Sequence, residues 1–303
     1  MSRIARLAAI ASVFVLLGCG AGQDPRVAEA PTSPAAAFPV TITDDEGVEV
    51  TIEEPPERIV TFAPSHTEIV FALGAGERLV GVSGAFDDYP PEASDLPHVA
   101  GPSGTQPNIE KVVSLEAQVV LTAFIGGEWK DRLRGLQVPV VTTLPDSLDD
   151  ALGDMETIGR VIGAEAEATA LTEELRAEVE AIEENVGDDR VTCFLELSDL
   201  FTVGPGSLEY DLLERAGCDP VTSSADQPYP QWSVEQLVSD DPDVFLASET
   251  GAPVDEIVDR PGIRDLTAVK DGRVAVVSGD LISRPGPRVV EGLRELADAL
   301  HAG

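Results

Sequence analysis

The chemically richest stretch of the sequence is Ser65-His66-Thr67-Glu68, which sets hydroxyls, an imidazole and a carboxylate at consecutive positions. A hydrolase would use such groups as nucleophile, base and orienting acid. Neighbours on a strand-to-helix turn point in different directions, however, and no Gly-x-Ser-x-Gly elbow surrounds Ser65. The segment reads better as a helix start, with Ser65 or Thr67 as its cap and Glu68 near the positive end of the helix dipole. His66, His98 and His301 are the three histidines. None is spaced with other ligands as a structural metal site requires, so neither a metal nor a cofactor is expected. Gly74, Gly76 and Gly81 follow a helix instead of joining strand to helix, so they fail the context of a dinucleotide loop. No enzyme is expected.

Cysteine chemistry says more. Arg3 and Arg6 precede an apolar run, Leu7 to Leu17, too short to span a hydrocarbon core that takes roughly 20 residues. The run ends in Leu16-Leu17-Gly18-Cys19, which resembles the bacterial lipobox. Residues 1–18 therefore read as a lipoprotein signal peptide, Cys19 as the lipidation site and 19–39, rich in Gly, Ala, Pro, Ser and Thr, as a flexible tether. The expected protein is exported and lipid-anchored at the outer face of the cytoplasmic membrane, or periplasmic where an outer membrane exists. Cys193 and Cys218 are then an even pair in an oxidising compartment, either bridged or separately buried.

The chain of 303 residues is 43% hydrophobic, enough for a sizeable core and for two domains. Its 55 acidic against 20 basic residues give a net charge of −35, which repels phosphate backbones and excludes nucleic acid as a partner. A monomer is expected.

Positioning elements follow from pattern. Val40–Ile52 alternates around Glu46-Gly47 and predicts a hairpin. Short buried-strand candidates at Ile59–Phe62, Leu79–Val82, Val119–Thr122 and Val140–Thr142, each followed by a helical stretch, predict a parallel α/β sheet. A second series begins at Val191–Leu197 and continues at Val244–Ala247 and Val274–Val277, with helices near 208–216, 234–239, 254–260 and 287–301. Between the series, Leu171, Leu175, Val179 and Ile182 recur at helical spacing and predict one long helix over Glu165–Asn185. Asn108–Leu121 aligns without gaps on Ser233–Leu246, each starting with an N-cap residue and running through a helix into a strand. A duplicated lobe on one connector leaves a cleft between the copies, where ligands favour binding.

Arg58–Val82, with its Pro64-Ser-His-Thr-Glu68 core, then Phe86-Asp-Asp-Tyr-Pro-Pro91, Ile109–Leu121, Tyr229–Leu237 and Ser278-Gly-Asp280 carry a resemblance in order. Together they resemble the class III, helical-backbone substrate-binding proteins of ABC importers, which handle cobalamin, iron–siderophore complexes and heme. The resemblance covers about residues 40–301. It implies two Rossmann-like α/β lobes with parallel-rich sheets, at 40–163 and 188–303, bridged by a connecting helix at 164–187. It also implies capture of ligand without catalysis and delivery to a permease driven by a cytoplasmic ATPase.

Within that family the sequence looks most like the cobalamin branch. Carried over by position, Phe86, Phe124, Phe201 and Tyr229 would form ligand walls, with Asp280 and Arg284 as polar contacts. A flat corrin with amide arms suits aromatic faces and a few polar groups. Phe or aliphatic residues and Thr142 stand where a cobalamin binder often presents tryptophan, and Arg284 would also suit a ferric siderophore or heme. Those ligands are the alternative reading. A hydrolase on the same scaffold lacks a nucleophile–base pair, and a purely structural lipoprotein leaves the duplication unexplained. For permease docking the resemblance points to Glu235 on the second lobe. On the first, Lys130 occupies the expected acidic position, leaving Glu128 or Asp131 to serve.

Overall fold

The computed structural model describes residues 38–84, 86–101 and 106–302. The expected lipidation at Cys19, the signal peptide and most of the tether lie outside the described residues.

The described chain opens with the expected hairpin, β1 (Val40–Thr43) antiparallel to β2 (Glu49–Ile52). Asp44 closes its turn by accepting from the amides of Glu46 (3.1 Å) and Val48 (2.9 Å), an Asx arrangement that makes aspartate favourable there. Ile42, Val50 and Ile52 point inward, as the alternation requires.

The first lobe alternates β3 (Ile59–Phe62), α1 (Pro64–Ala72), β4 (Leu79–Gly81), α2 (Ile109–Ser114), β5 (Val119–Thr122), α3 (Glu128–Gly135), β6 (Val140–Thr142) and α4 (Leu148–Ile162). Its four strands pair in parallel in the order β4-β3-β5-β6. β3, β5 and β6 are buried along their whole length, because helices cover both faces of such a sheet.

α5 (Glu165–Val186) leads to the second lobe: β7 (Val191–Glu196), α6 (Leu208–Arg215), β8 (Cys218–Pro220), α7 (Val234–Asp240), β9 (Val244–Ser248), α8 (Val254–Val258), α9 (Thr267–Lys270), β10 (Val274–Val277), α10 (Gly279–Ser283) and α11 (Val289–Leu300). Its parallel order is β8-β7-β9-β10. Counted within each lobe, both sheets run second, first, third, fourth. The duplicated segments end in β5 and β9, which occupy the same slot. Their helices start alike: Asn108 accepts from the Lys111 amide and Ser233 from the Gln236 amide, both at 3.1 Å.

β8 was not expected, since Cys-Asp-Pro has little strand propensity. It is an edge strand held by pairing with β7 and by a Cys193–Cys218 disulfide whose Cα atoms lie 5.8 Å apart.

At 22 residues and ~1.5 Å each, α5 extends about 33 Å. Its buried stripe is Ala168, Thr172, Leu175, Val179 and Ile182; Leu171, expected to head the stripe, is only partly buried. Thr172 is accepted inside because its hydroxyl donates to Glu156 of α4 at 2.8 Å. A Cβ on Gly159 would come within 2.3 Å of the Ala168 Cβ, so glycine there permits close α4–α5 contact. On the other side α5 packs against α11, and one apolar cluster runs from the hairpin through α4 and α5 to α6 and α11. The lobes thus share a core along the connector.

Candidate functional site

The site forms at the carboxyl ends of β3, β5 and β6, where open parallel sheets place their ligand crevices. β3 ends at Phe62, and α1 begins with Pro64 at its first position, behind Ala63, whose side chain makes no cap bond. The expected caps are instead drawn inward. Thr67 bonds the Thr61 hydroxyl and donates to Asp87 Oδ1, both at 2.7 Å. Ser65 and Glu68 are buried as well. His66 Nε2 lies 2.7 Å from the Thr143 hydroxyl, and burial pushes its pKa down to about 4, so the ring is neutral at physiological pH.

Asp87 also accepts from the Gly84 amide (2.7 Å) and from Ser83, pinning the loop after β4. That anchoring leaves Phe86 at a φ of 64°, a left-handed conformation rare for an aromatic residue, with the residue 75% exposed. After β5, Phe124 packs on Phe62 with ring centroids 5.3 Å apart.

The Phe124 loop has its own support. Lys130, only 2% exposed, donates to the Phe124 carbonyl, to Glu46 and to the Thr142 hydroxyl (2.8 Å). Glu46 also accepts from the Gly126 amide. Burial works against the Glu46 charge, but bonds from Lys130, Gly126 and Thr142 hold its carboxyl below the usual range. The hairpin turn therefore braces a cleft wall. Leu144, after β6, is fixed where its backbone amide donates to the Asp45 carboxylate (2.6 Å).

Phe62, Ser65, Phe86, Phe124 and Leu144, with Arg284 from the other lobe, line a cavity of about 340 Å³. Among the described residues, Arg284 is its one charged lining side chain. The guanidinium pairs with Asp280 (2.9 Å), Glu68 (3.3 Å) and Asp88 (3.6 Å). Glu68 in turn accepts two bonds from Arg288, at 2.6 and 2.9 Å, and Arg288 stacks on Tyr89 at 3.8 Å. Glu68, Tyr89 and Arg288 border a second cavity, about 380 Å³, beside the first.

Of the six ligand-contact residues expected from sequence, the structure gathers Phe86, Phe124 and Arg284 in one cavity and places Asp280 on Arg284. Phe201 and Tyr229 lie elsewhere, on an antiparallel ribbon in which Phe201 bridges Gln231 and the Thr202 amide donates to the Pro230 carbonyl. Both rings are about half exposed. The Tyr229 hydroxyl donates to buried Glu209 (3.1 Å); burial, Glu209 and then Asp146 of the first lobe raise its pKa. Glu235 is exposed in the first turn of α7, and Glu128 and Asp131 are exposed on α3. Sequence reasoning missed Leu144, Asp88, Arg288 and the part played by Glu68.

A family model described as periplasmic binding protein matches residues 59–281. An uncharacterized ABC transporter substrate-binding lipoprotein, YvrC of Bacillus subtilis, is 31% identical over 97% of this chain and 95% of its own. A cobalamin-binding protein of Halobacterium salinarum is 33% identical, covering 88% of this chain and 75% of its own. A crystal structure of a possible iron-binding, periplasmic solute-binding protein from Staphylococcus epidermidis superposes with a TM-score of 0.70 at 27% identity, over 82% of this chain and all of the other.

Proposed function

The chain belongs to the periplasmic binding protein family, and on that premise we propose that it serves an ABC importer by capturing a corrinoid outside the membrane and handing it to the permease. It acts as a monomer, tethered through a lipid on Cys19, and catalyses nothing. Lobes 40–163 and 188–303 hold the ligand between them on the connector 164–187. Phe86 and Phe124 supply wall area, Phe201 and Tyr229 extend it along the second lobe, and Asp280 and Arg284 orient polar arms. Glu235, with Glu128 or Asp131, meets the permease.

One observation carries the ligand assignment: the cavity joins aromatic and aliphatic walls to a single guanidinium that carboxylates already surround. That suits a broad macrocycle with neutral amide arms, which needs apolar area and a few oriented donors. The name of the Halobacterium relative supports the same choice. The second reading, a ferric siderophore or heme, rests on Arg284 as an anion partner and on the Staphylococcus structure described as a possible iron-binding protein. Gel filtration of the purified protein with cyanocobalamin, hemin or a ferric siderophore separates them. Corrin absorbance co-eluting with protein is expected; co-elution of an iron chelate alone would replace the corrinoid.

A further inference from the structure

Glu68 is the hub of an ion cluster that crosses between the lobes. Its side chain is 1% exposed, and both of its ionic partners, Arg284 and Arg288, come from more than 200 residues away. The lobes meet closely here: a Cβ on Gly286 would lie 3.4 Å from Glu68 Oε2 and 3.5 Å from the Ser65 carbonyl. Arg288 does not line the cavity that holds Arg284; it lies over Tyr89 and borders the second one. Among the charged side chains of the described residues, only Arg284 lines the ligand cavity, and its terminal nitrogens are committed to Glu68, Asp88 and Asp280.

This arrangement bears on ligand charge. A carboxylate or catecholate entering the cavity would compete with carboxylates already on Arg284, in a chain that is strongly acidic overall. A neutral carbonyl needs only a hydrogen bond, not an uncompensated positive charge. We infer that Glu68 is a specificity-determining residue which, from behind the cavity wall, cancels the charge of Arg284 and so excludes anionic chelates in favour of neutral, amide-bearing ligands. This rests on the proposed ligand class, and its mechanism is distinct from wall packing. Rejection comes from the paired charge, as specificity often needs a repulsive element.

The test compares wild-type protein with Glu68→Gln and Asp280→Asn, titrated with cyanocobalamin and separately with hemin and a ferric tris-catecholate. Glu68→Gln keeps an acceptor for the arginines but removes one negative charge. It should tighten binding of the anionic chelates about tenfold or more while cyanocobalamin affinity stays within about threefold. The gain should shrink as salt is raised from 0.05 to 0.5 M, which a change in packing alone would not produce. Asp280→Asn, which removes the partly exposed carboxylate on the same guanidinium, should shift preference in the same direction and decides the matter if Glu68→Gln does not fold. Unchanged or weaker anion binding in the folded variants overturns the role of Glu68. Failure of the wild type to bind cyanocobalamin would overturn the corrinoid assignment instead, and the anion titrations would still read the effect of Glu68.

Discussion

Lys130 and Glu46, 84 residues apart in sequence, form a partly buried ion pair beneath the Phe124 loop, with the lysine enclosed and the carboxylate reaching the surface. Removing the lysine leaves the partly buried Glu46 carboxylate without its ionic partner, which typically costs about 1–3 kcal/mol. Lys130→Met should therefore lower unfolding stability by that order in urea. The double variant Lys130→Met/Glu46→Leu should recover much of the loss. Equal stability of the single variant and wild type would show that the pair does not brace the loop.

Two titratable groups, buried His66 and half-buried Asp154, bound the pH range of stability from opposite sides. His66 has its pKa depressed from 6.5 to about 4 by burial, so its contribution is present above 6.5 and is lost as pH falls toward 4. Asp154 has its carboxyl pushed up to about 8 by burial and by the charges of Asp45 and Asp150, so it folds protonated. Its contribution is present below the ordinary value of 3.8 and is lost as pH rises through about 8. Asp154→Asn should consequently raise Tm relative to wild type at pH 8–9 and change it little at pH 4. A Tm difference independent of pH would contradict this assignment.

The Cys193–Cys218 bridge closes a loop of sequence separation 25. Replacing both cysteines with alanine should lower stability by roughly 3 kcal/mol through restored freedom of the unfolded chain. Ligand affinity should hold, because the bridge joins β7 to edge strand β8 and none of its residues lines the cavity. A stability loss below ~1 kcal/mol in guanidinium titrations would argue that the bridge matters little to folding.

The cavity geometry ranks the aromatic walls. Phe124, packed on Phe62 and lining the cavity, should weaken corrinoid binding more on truncation than Tyr229, whose ring stands on the second-lobe ribbon. Lost aromatic contact contributes about 0.5–1.5 kcal/mol beyond simple burial, up to roughly tenfold in Kd. Calorimetry of Phe124→Ala and Tyr229→Ala should reveal that order. The reverse order would move the ligand toward the second lobe.

Much of the scaffold is legible because its signals are local. Val119–Thr122 and Val140–Thr142 announce buried parallel strands through unbroken β-branched and aliphatic runs, and the Asn108 and Ser233 caps mark two copies of one unit. β8 is illegible for the opposite reason: Cys218-Asp-Pro becomes a strand only through its neighbour β7. At α1, local capping logic failed because Thr67 and Glu68 found stronger partners in Asp87 and the arginines. Thr172 displaced Leu171 from the buried stripe because Glu156 on α4 satisfies its hydroxyl. Phe86, Phe124 and Arg284 could be singled out only through the family resemblance. Glu68 and Arg288 are 220 positions apart, so no window of sequence could join them.

Equilibrium titration of the purified protein with cyanocobalamin by calorimetry asks whether the interlobe cleft binds one corrinoid. One-to-one saturable binding is expected, weakened by Phe124→Ala without loss of the folded fraction. Absence of corrinoid binding by a folded protein that instead saturates with an iron chelate would contradict it.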